Sequence, residues 1–356
     1  MKIHNFSAGP SILPQSVFDK AAQGVLNLDN SGLSILEISH RSKDFIAIHE
    51  HAKALVKELL QVPDTHHILF LSGGASSQFF MVPLNCLPQN GTAAYVDTGS
   101  WSSKAIKEAK RYGQIDVLAS SKEDGYKYIP KNYTIPSDAT YLHLTSNNTI
   151  FGTQFQSFPD CEIPIVCDMS SDIFSRPVDV SRFGIIYAGA QKNMGPAGVT
   201  LVIVRNDMLG KVGRDIPSML DYQVHIKGDS MYNTPPVFPI YVSMLTLEWL
   251  KDFGGVSAIQ KANEDKAAIL YDEIARNSLF SAVATEEDRS RMNVTFLVND
   301  PELEKPFLDL CKAGGCDGVK GHRSVGGFRA SIYNAMPREG VEALISVMQQ
   351  FEKQMG

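Results

Sequence analysis

The sequence predicts an α/β protein: a large domain with a mainly parallel sheet flanked by helices, joined to a smaller α+β unit near the carboxyl end. Three observations lead to this prediction. From about Pro63 onward, short apolar runs that end in small or polar residues alternate with amphipathic stretches. After Tyr222 this pattern gives way to the proline-dense segment 230–239. With 356 residues, the chain is also longer than one compact core usually holds.

The first part of the chain supplies the strands of the parallel sheet. Short apolar runs predict six of them, at 68–71, 93–96, 140–144, 163–167, 184–188 and 199–204. Helices are predicted over 79–87 and 102–112; in the second, Ser102 or Ser103 serves as N-cap and Gly113 as C′. Strands and helices in alternation indicate a sheet with helices on both faces.

The second part of the chain begins at the segment 230–239, which is too rich in proline for a regular helix or strand. A predicted helix over 240–253 follows and ends at Gly254 and Gly255. The remainder predicts helix, strand, helix, strand and terminal helix, with the strands at 293–298 and 328–333. The domains we expect are a large one at 16–255 and a small one formed by 1–15 and 256–356.

Charge and cysteine content exclude several classes of protein. A net charge of −6 and a pI near 5.9 give no electrostatic reason to expect nucleic acid or an anionic membrane as partner. No apolar run is long enough to span a bilayer, and no secretory signal is found. The five cysteines form no C-x-x-C pair and no Cys/His spacing typical of a metal site, so we expect neither disulfides nor a metal. A cytoplasmic location follows.

Chemistry is expected where the strands end, since ligands of open α/β sheets bind beyond the carboxyl ends of the strands. Lys192 follows the apolar run 184–190 and precedes a loop of small residues. An amine at the mouth of a buried strand is partly desolvated, which lowers its pKa and frees the neutral nucleophile. For a lysine taken alone, a surface position in a turn is the commoner explanation.

Asp168 ends the strand before the one that leads to Lys192. Pyridoxal phosphate acts as an electron sink only while its ring nitrogen is protonated, and an adjacent carboxylate keeps it so. Asp168 and Lys192 together therefore predict a pyridoxal-phosphate site, with Lys192 holding the cofactor as a Schiff base. An N-cap role for Asp168, followed by Ser170 and Ser171, is an equal alternative for that residue alone.

Two further strand-to-helix loops suit such a cofactor. Segment 72–77 is rich in glycine and serine and opens a helix, so its amides and hydroxyls, including Ser76 and Ser77, favour a phosphate. It matches neither a dinucleotide fingerprint nor a Walker loop, and a tight turn explains a lone Gly-Gly as well. Trp101 can stack on a cofactor ring, or can simply anchor its loop.

Basic residues form the last cluster. His322, Arg323 and Arg329 surround flexible glycines near a predicted strand, and Arg41 lies in a similar Ser-His-Arg piece. Arginine binds carboxylates and phosphates through two parallel hydrogen bonds, so several arginines indicate a substrate with more than one anionic group. A solvated basic face is the usual alternative, but here glycines and apolar residues interleave with the charges.

These motifs resemble those of the phosphoserine aminotransferases, a family of class V, fold-type I pyridoxal-phosphate enzymes, nearly from end to end. The stretches that carry the resemblance lie at 5–10, 37–41, 73–79, 168–172, 190–193, 232–236 and 321–327. The Gly-His-Arg-Ser-Val-Gly-Gly and Ser-His-Arg segments are specific to this family, whereas the Asp and Lys positions are shared more widely. One departure is Ser76, where some members have arginine.

The resemblance implies an activity and residue roles. It implies transfer of the amino group of L-glutamate to 3-phosphohydroxypyruvate in serine biosynthesis, with the related 4-phosphohydroxythreonine step left open. Asp168 would meet the pyridine nitrogen, Trp101 would stack on the ring and Thr149 would bond its hydroxyl. The cofactor phosphate would be held by Ala75, Ser76 and Gln191, and by Asn233 and Thr234 from the partner subunit of a homodimer. Arg329 would bind the α-carboxylate of the substrate, and the distal anion would be bound by Arg41, His322 and Arg323.

Two kinds of protein remain as alternatives. One is another enzyme of the same fold, such as an alanine–glyoxylate-type transaminase or a cysteine desulfurase. The desulfurase is disfavoured because no cysteine lies in a mobile Gly/Ser-rich loop, and the other transaminase would not need so many cations. The other is a non-catalytic cofactor-binding or regulatory module, which would be expected to lose Lys192 or add a helix-turn-helix.

Overall fold

The computed structural model describes residues 2–355, which fold into strands and helices in the following order along the chain. The strands are β1 (His4–Asn5), β2 (His66–Leu71), β3 (Thr92–Asp97), β4 (Gln114–Ser120), β5 (Leu142–Thr145), β6 (Asn147–Asn148), β7 (Thr153–Gln154), β8 (Ile165–Asp168), β9 (Phe183–Gly189), β10 (Thr200–Arg205), β11 (Phe280–Ala282), β12 (Asn293–Val298), β13 (Cys316–Asp317) and β14 (Phe328–Ser331). The α-helices are α1 (Gln15–Leu26), α2 (Lys43–Leu60), α3 (Gly74–Cys86), α4 (Ser100–Ala109), α5 (Tyr222–Lys227), α6 (Val237–Asp252), α7 (Gly255–Arg276), α8 (Glu304–Ala313) and α9 (Arg338–Met355).

The central sheet has seven strands in the order β2-β10-β9-β8-β5-β3-β4. All neighbouring pairs are parallel except the two that involve β10, which runs antiparallel to both β2 and β9. The connection between β9 and β10, residues 190–199, is shorter than the crossover that joins two parallel strands, so β10 runs antiparallel to β9. The predicted mainly parallel sheet is therefore confirmed, with one reversed strand that the sequence analysis did not predict.

Helices cover both faces of this sheet because successive side chains of each strand point to opposite sides. Along β9, Ile186 and Ala188 pack into one apolar cluster, which α1, α2 and α6 complete. Ile185 and Tyr187 pack into the other cluster, which α3 and α4 complete. The layered α/β arrangement predicted from the sequence is confirmed.

A second, smaller group of elements follows α6. The strands β11, β12 and β14 form an antiparallel sheet, and α7, α8 and α9 pack on it around a core of phenylalanine rings. The amino-terminal strand β1 pairs with β13 in parallel, which brings Phe6 into this core. The predicted order of helices and strands is present, but β1, β11 and β13 were too short to recognise. The domain limits 16–255 and 1–15 with 256–356 remain a prediction.

The predicted caps of helix α4 are wrong. The helix begins at Ser100 with Gly99 as N-cap, and Ser102 lies inside the first turn. The Ser102 hydroxyl instead accepts hydrogen bonds from the backbone N–H groups of Thr98 and Gly99, both at 2.9 Å. The helix ends at Ala109 with Lys110 as C-cap, before Gly113.

Two other sequence expectations can be compared with the structure. The five cysteines are free thiols. Among residues 2–355, no helix has both the length and the apolar composition that crossing a membrane requires.

Candidate active site

The ends of three neighbouring parallel strands define the candidate site. Strand β8 ends at Asp168, and β9 ends at Gly189 and leads directly to Lys192. Strand β5 lies on the other side of β8, and Thr149 follows it after the short strand β6. Because β5, β8 and β9 are parallel, these three residues lie at the same edge of the sheet.

Lys192 is only partly exposed, and within residues 2–355 its amine makes one hydrogen bond, 2.7 Å to the Thr149 hydroxyl. Burial lowers the pKa of Lys192 to about 8, while the charge of Asp168 acts in the opposite direction and that of Arg329 lowers the pKa further. A lysine with such a pKa carries a substantial neutral fraction near neutrality. This amine is therefore suited to act as a nucleophile.

Asp168 is buried, with 5% of its surface exposed. Its carboxylate accepts a hydrogen bond from the Ser170 N–H at 2.9 Å, and Ser170 is the one residue that hydrogen-bonds to it in the part of the chain that the structure describes. Burial raises the pKa of Asp168 and the charge of Lys192 lowers it. The two groups influence each other but form no direct ion pair within residues 2–355, so a space separates them. A cationic ring nitrogen in that space would satisfy the buried carboxylate.

Asp172, four residues further along, is the contrasting carboxylate. It accepts hydrogen bonds from the Ser146 hydroxyl and from Gln154 Nε2 (3.1 Å), and Arg176 lies 3.8 Å away. Its acceptor capacity is thus used within the protein, whereas that of Asp168 is not. The sequence placed both acids at 168–172 but gave no signal for which one is internally satisfied.

Trp101 lies in the first turn of α4, where its ring faces the lysine. The distance from Lys192 Nζ to the centre of the ring is 5.6 Å. Its Nε1 is buried and has no hydrogen-bond partner among residues 2–355. Buried indole N–H groups usually find an acceptor, so this donor is available to a bound molecule.

The amino terminus of α3 supplies the predicted phosphate cradle. Its N-cap Gly73 has φ 103°, a conformation that favours glycine. Ala75 and Ser76 lie in the first turn, which contains no acidic residue, and Ser76 is exposed. The side chain of Gln191 lies against the end of β9, where a Cβ on Gly189 would approach its Oε1 to 2.7 Å. The backbone N–H groups in the first turn of α3, together with the dipole of this helix, favour the binding of an anion.

Asn233 and Thr234 lie in the irregular segment before α6, and both are exposed. Asn233 donates to the Thr234 carbonyl at 3.1 Å and lines a cavity of about 240 Å³ with Gly73 and Ser77. The segment therefore lies beside the α3 amino terminus in its own chain. Their expected contribution across a subunit interface stays a prediction.

The small antiparallel sheet contributes basic residues to the site. On β14, Arg329 Nη1 donates to the Thr149 carbonyl at 3.3 Å, while its Nε is buried without a partner within residues 2–355. His322 is partly buried and Arg323 is exposed. Burial lowers the pKa of His322, and the charges of Arg329, Arg323 and Lys104 lower it further. Lys104 was not singled out in the sequence, because it lies more than 200 residues from His322 along the chain.

Within residues 2–355, the Arg41 side chain forms no hydrogen bond or ion pair with the other predicted site residues. It lies in the turn before α2, is exposed, and its backbone N–H donates to the Ser39 hydroxyl at 3.2 Å. Its guanidinium makes no hydrogen bond or ion pair within residues 2–355. A role in binding the distal anion therefore remains a prediction.

An amino-terminal segment that the sequence analysis did not assign to the site supports the Lys192 loop. The Ser11 N–H donates to the Gln191 carbonyl at 3.0 Å, and its hydroxyl donates to the Lys192 carbonyl. A Cβ on Gly9 would approach Lys192 Cγ to 3.2 Å. The motif at 5–10 was a signal for this segment, but it did not show where the segment packs.

Comparison with known proteins agrees with this geometry. The family model for class V aminotransferases matches residues 3–344. The chain belongs to this family of aminotransferases.

Within the family, its relatives are phosphoserine aminotransferases. That of Flavobacterium psychrophilum is 62% identical over 356 residues, covering 100% of both chains, and that of Flavobacterium johnsoniae is 61% identical with the same coverage. A solved phosphoserine aminotransferase from Bacillus circulans subsp. alkalophilus superimposes with a TM-score of 0.97 at 46% identity, covering 100% of this chain and 99% of that one. The PLP-bound enzyme from Trichomonas vaginalis gives 0.93 at 38% identity, covering 98% and 100%. The predicted family and fold type are confirmed.

Proposed function

We propose that this protein transfers the amino group of L-glutamate to 3-phosphohydroxypyruvate, yielding O-phospho-L-serine and 2-oxoglutarate, with pyridoxal 5′-phosphate as cofactor. The observation that carries the proposal is the pair Asp168 and Lys192 at the ends of adjacent parallel strands. The two groups share one space, and each shifts the pKa of the other. The names of the relatives support the choice of substrates.

The residues around this space fit the cofactor. Asp168 has a free acceptor for a ring N–H, the Lys192 amine is held by a single hydrogen bond, and the Trp101 ring borders the amine. The amino terminus of α3 can receive a phosphate. When bound, pyridoxal phosphate supplies an electron sink for the bonds at the substrate Cα.

Two residues of the chain then assist the reaction: Asp168 by its negative charge and Lys192 by transferring a proton. Asp168 keeps a proton on the ring nitrogen, because the buried carboxylate is stabilised by the positive charge beside it. Lys192 would hold the cofactor, and its amine would move a proton at the substrate Cα. Its lowered pKa, about 8, suits an amine that must both accept and donate a proton near neutral pH.

The basic side of the site accounts for substrate choice. The Nε of Arg329 is buried and has no partner within residues 2–355, which suits the α-carboxylate common to both substrates. His322 and Arg323 suit the second anionic group, which is a phosphate in one substrate and a carboxylate in the other. An enzyme for alanine would have no use for this second set of charges.

Three further expectations belong to the proposal. The protein acts as a homodimer in the cytoplasm, with Asn233 and Thr234 of each chain serving the partner's site and with Arg41 completing the distal-anion site. The 4-phosphohydroxythreonine step of pyridoxal phosphate synthesis is an additional reaction for the same site. Neither nucleic acid nor a membrane is expected as partner, given the net charge of −6.

A half-reaction assay tests the proposal. The purified holoenzyme is mixed separately with O-phosphoserine, glutamate and alanine, and the visible absorption of the cofactor is followed in a stopped-flow instrument. Phosphoserine and glutamate should convert the cofactor to its amine form rapidly, and alanine much more slowly. Conversion by alanine at a rate equal to that with phosphoserine would favour an alanine–glyoxylate-type transaminase instead.

A further inference from the structure

A group of basic residues borders the site without acidic partners in residues 2–355. We call Lys104, His322 and Arg323 the distal patch, since the charges of Lys104 and Arg323 both act on His322. Exposed basic residues elsewhere commonly pair with acids; just beyond the end of α4, Arg111 lies 3.3 Å from Glu108. Lys104 and Arg323 therefore concentrate positive charge beside His322, on a chain whose net charge is −6.

Lys104 connects this patch to the centre of the site. It lies one helical turn after Trp101 on α4, so that the two side chains share a face of the helix. Its Nζ is 4.4 Å from the centre of the Trp101 ring, and the Nζ of Lys192 is 5.6 Å from the same point. One aromatic ring thus contacts both the amine of the proposed reaction and the exposed amine of Lys104.

The position of Lys104 within α4 is electrostatically unfavourable for the helix itself. Cations are stabilising near the carboxyl end of a helix and destabilising near its amino end. Lys104 lies in the amino-terminal half of α4, whose first turn contains no acidic residue. The buried acid just before the helix, Asp97, is occupied by the hydroxyls of Ser102 and Ser103, and no acid forms an ion pair with Lys104 within residues 2–355. The charge of Lys104 is therefore available to an anion that binds from solution.

We propose that Lys104 determines substrate specificity at this site: its ammonium contacts the distal anionic group of the substrate and favours a phosphate dianion over a carboxylate. This inference rests on the proposed function, because it assumes a substrate that carries an anionic group at each end. Attraction scales with the product of the charges, so one added cation gains about twice as much from a dianion as from a monoanion.

The role differs from that of Trp101 and Lys192, which contact the cofactor space. The charge of Lys104 is not among those that shift the pKa of Asp168 or of Lys192. The charge of Lys104 acts instead on His322, whose pKa it lowers. Removing the charge should therefore weaken binding of the phosphate end without changing the proton transfer at the Cα.

The test compares three variants of the holoenzyme. Lys104→Met removes the charge but keeps an apolar side chain over Trp101, Lys104→Arg restores the charge, and Lys107→Met removes an exposed lysine one turn further along α4 as control. In Lys104→Met, the KM for phosphoserine should rise about tenfold and that for glutamate about threefold, with the effect on KM rather than kcat. Lys104→Arg should recover most of the affinity, and alanine should respond little.

A binding measurement separates this inference from the proposed function. Inorganic phosphate is titrated into each holoenzyme, in which the cofactor phosphate site is occupied, and tryptophan fluorescence reports binding next to Trp101. Weaker phosphate binding in Lys104→Met than in Lys107→Met supports the inference even if the wild type fails to convert phosphoserine, a result that would overturn only the proposed function. Equal phosphate affinity in both variants, or an equal rise in KM for phosphoserine and alanine, overturns the role of Lys104.

Discussion

Two lysines in different parts of the molecule share a lowered pKa but have opposite surroundings. Burial lowers the pKa of Lys192, at the edge of the large sheet, to about 8, and that of Lys266, on α7, to about 7. Lys266 donates to the backbone carbonyls of Ile332 (3.1 Å), Tyr333 (2.8 Å) and Met336 (2.9 Å). Lys192 donates one hydrogen bond, to Thr149.

This difference shows that a shifted pKa does not by itself identify a reactive amine. An ammonium group has three donors, and at Lys266 all three are used within the protein. At Lys192 two donors remain, beside an aromatic ring and a buried carboxylate with spare acceptor capacity. The first lysine joins α7 to the chain after β14, and the second is available to a ligand.

The largest expected effect follows from replacing the reactive amine. Lys192→Ala should abolish covalent attachment of the cofactor and reduce turnover by roughly 10³-fold or more, because the variant loses both the attachment point and the group that moves the proton. The visible absorption of the holoenzyme and steady-state assays measure the two effects. A variant that retains both would show that the amine was assigned to the wrong residue.

Replacing Lys266 tests whether this lysine serves the stability of the fold rather than the reaction. Lys266→Met should lower the free energy of unfolding by about 2–4 kcal/mol, because buried carbonyls lose their donors. Guanidinium-induced unfolding of the cofactor-free proteins measures the change, with Lys192→Ala as the comparison variant, for which little loss of stability is expected. If the two variants were equally destabilised, the distinction between the two lysines would not hold.

The sequence was sufficient for the large features because they depend on local patterns. Alternating apolar runs and helices predicted the sheet, and the strand ends located Asp168 and Lys192 at one edge. The edge strand β4 (Gln114–Ser120) was missed because it is largely exposed and lacks an apolar run. Helices α1 and α2 precede the region where the pattern was recognised.

Contacts between distant parts of the chain could not be predicted in the same way. The support of the Lys192 loop by Ser11, and the hydrogen bonds that satisfy Asp172, join residues whose local sequences carry no sign of each other. The position of Lys104 near His322 is of the same kind. Such pairs are set by how segments distant along the chain pack together, which a pattern of period two or 3.6 does not contain.

A pH dependence sharpens the comparison further. The pKa of Lys192 lies below that of a lysine in the unfolded chain, so the folded protein releases this proton at lower pH, and its neutral fraction rises as the pH approaches about 8. The rate at which apoenzyme recovers its cofactor should increase about tenfold per pH unit below 8 and level off above it. Cofactor absorption measures the rate. The Lys266→Met variant should give the same profile, and a displaced midpoint there would mean that Lys266 also takes part.

The smallest expected effect concerns the single hydrogen bond of Lys192. Thr149→Val removes the hydroxyl that holds the amine at 2.7 Å while keeping the branched shape of the side chain, so kcat/KM should fall about five- to tenfold, the equivalent of one hydrogen bond. Thr145→Val is the control, because the hydroxyl of this buried threonine has no partner within residues 2–355. An equal loss in both variants would indicate a general disturbance of the strand ends. A loss confined to Thr149→Val would show that the single hydrogen bond from Thr149 orients the reactive amine of Lys192. Lys266 differs because its three hydrogen bonds hold its amine within the protein.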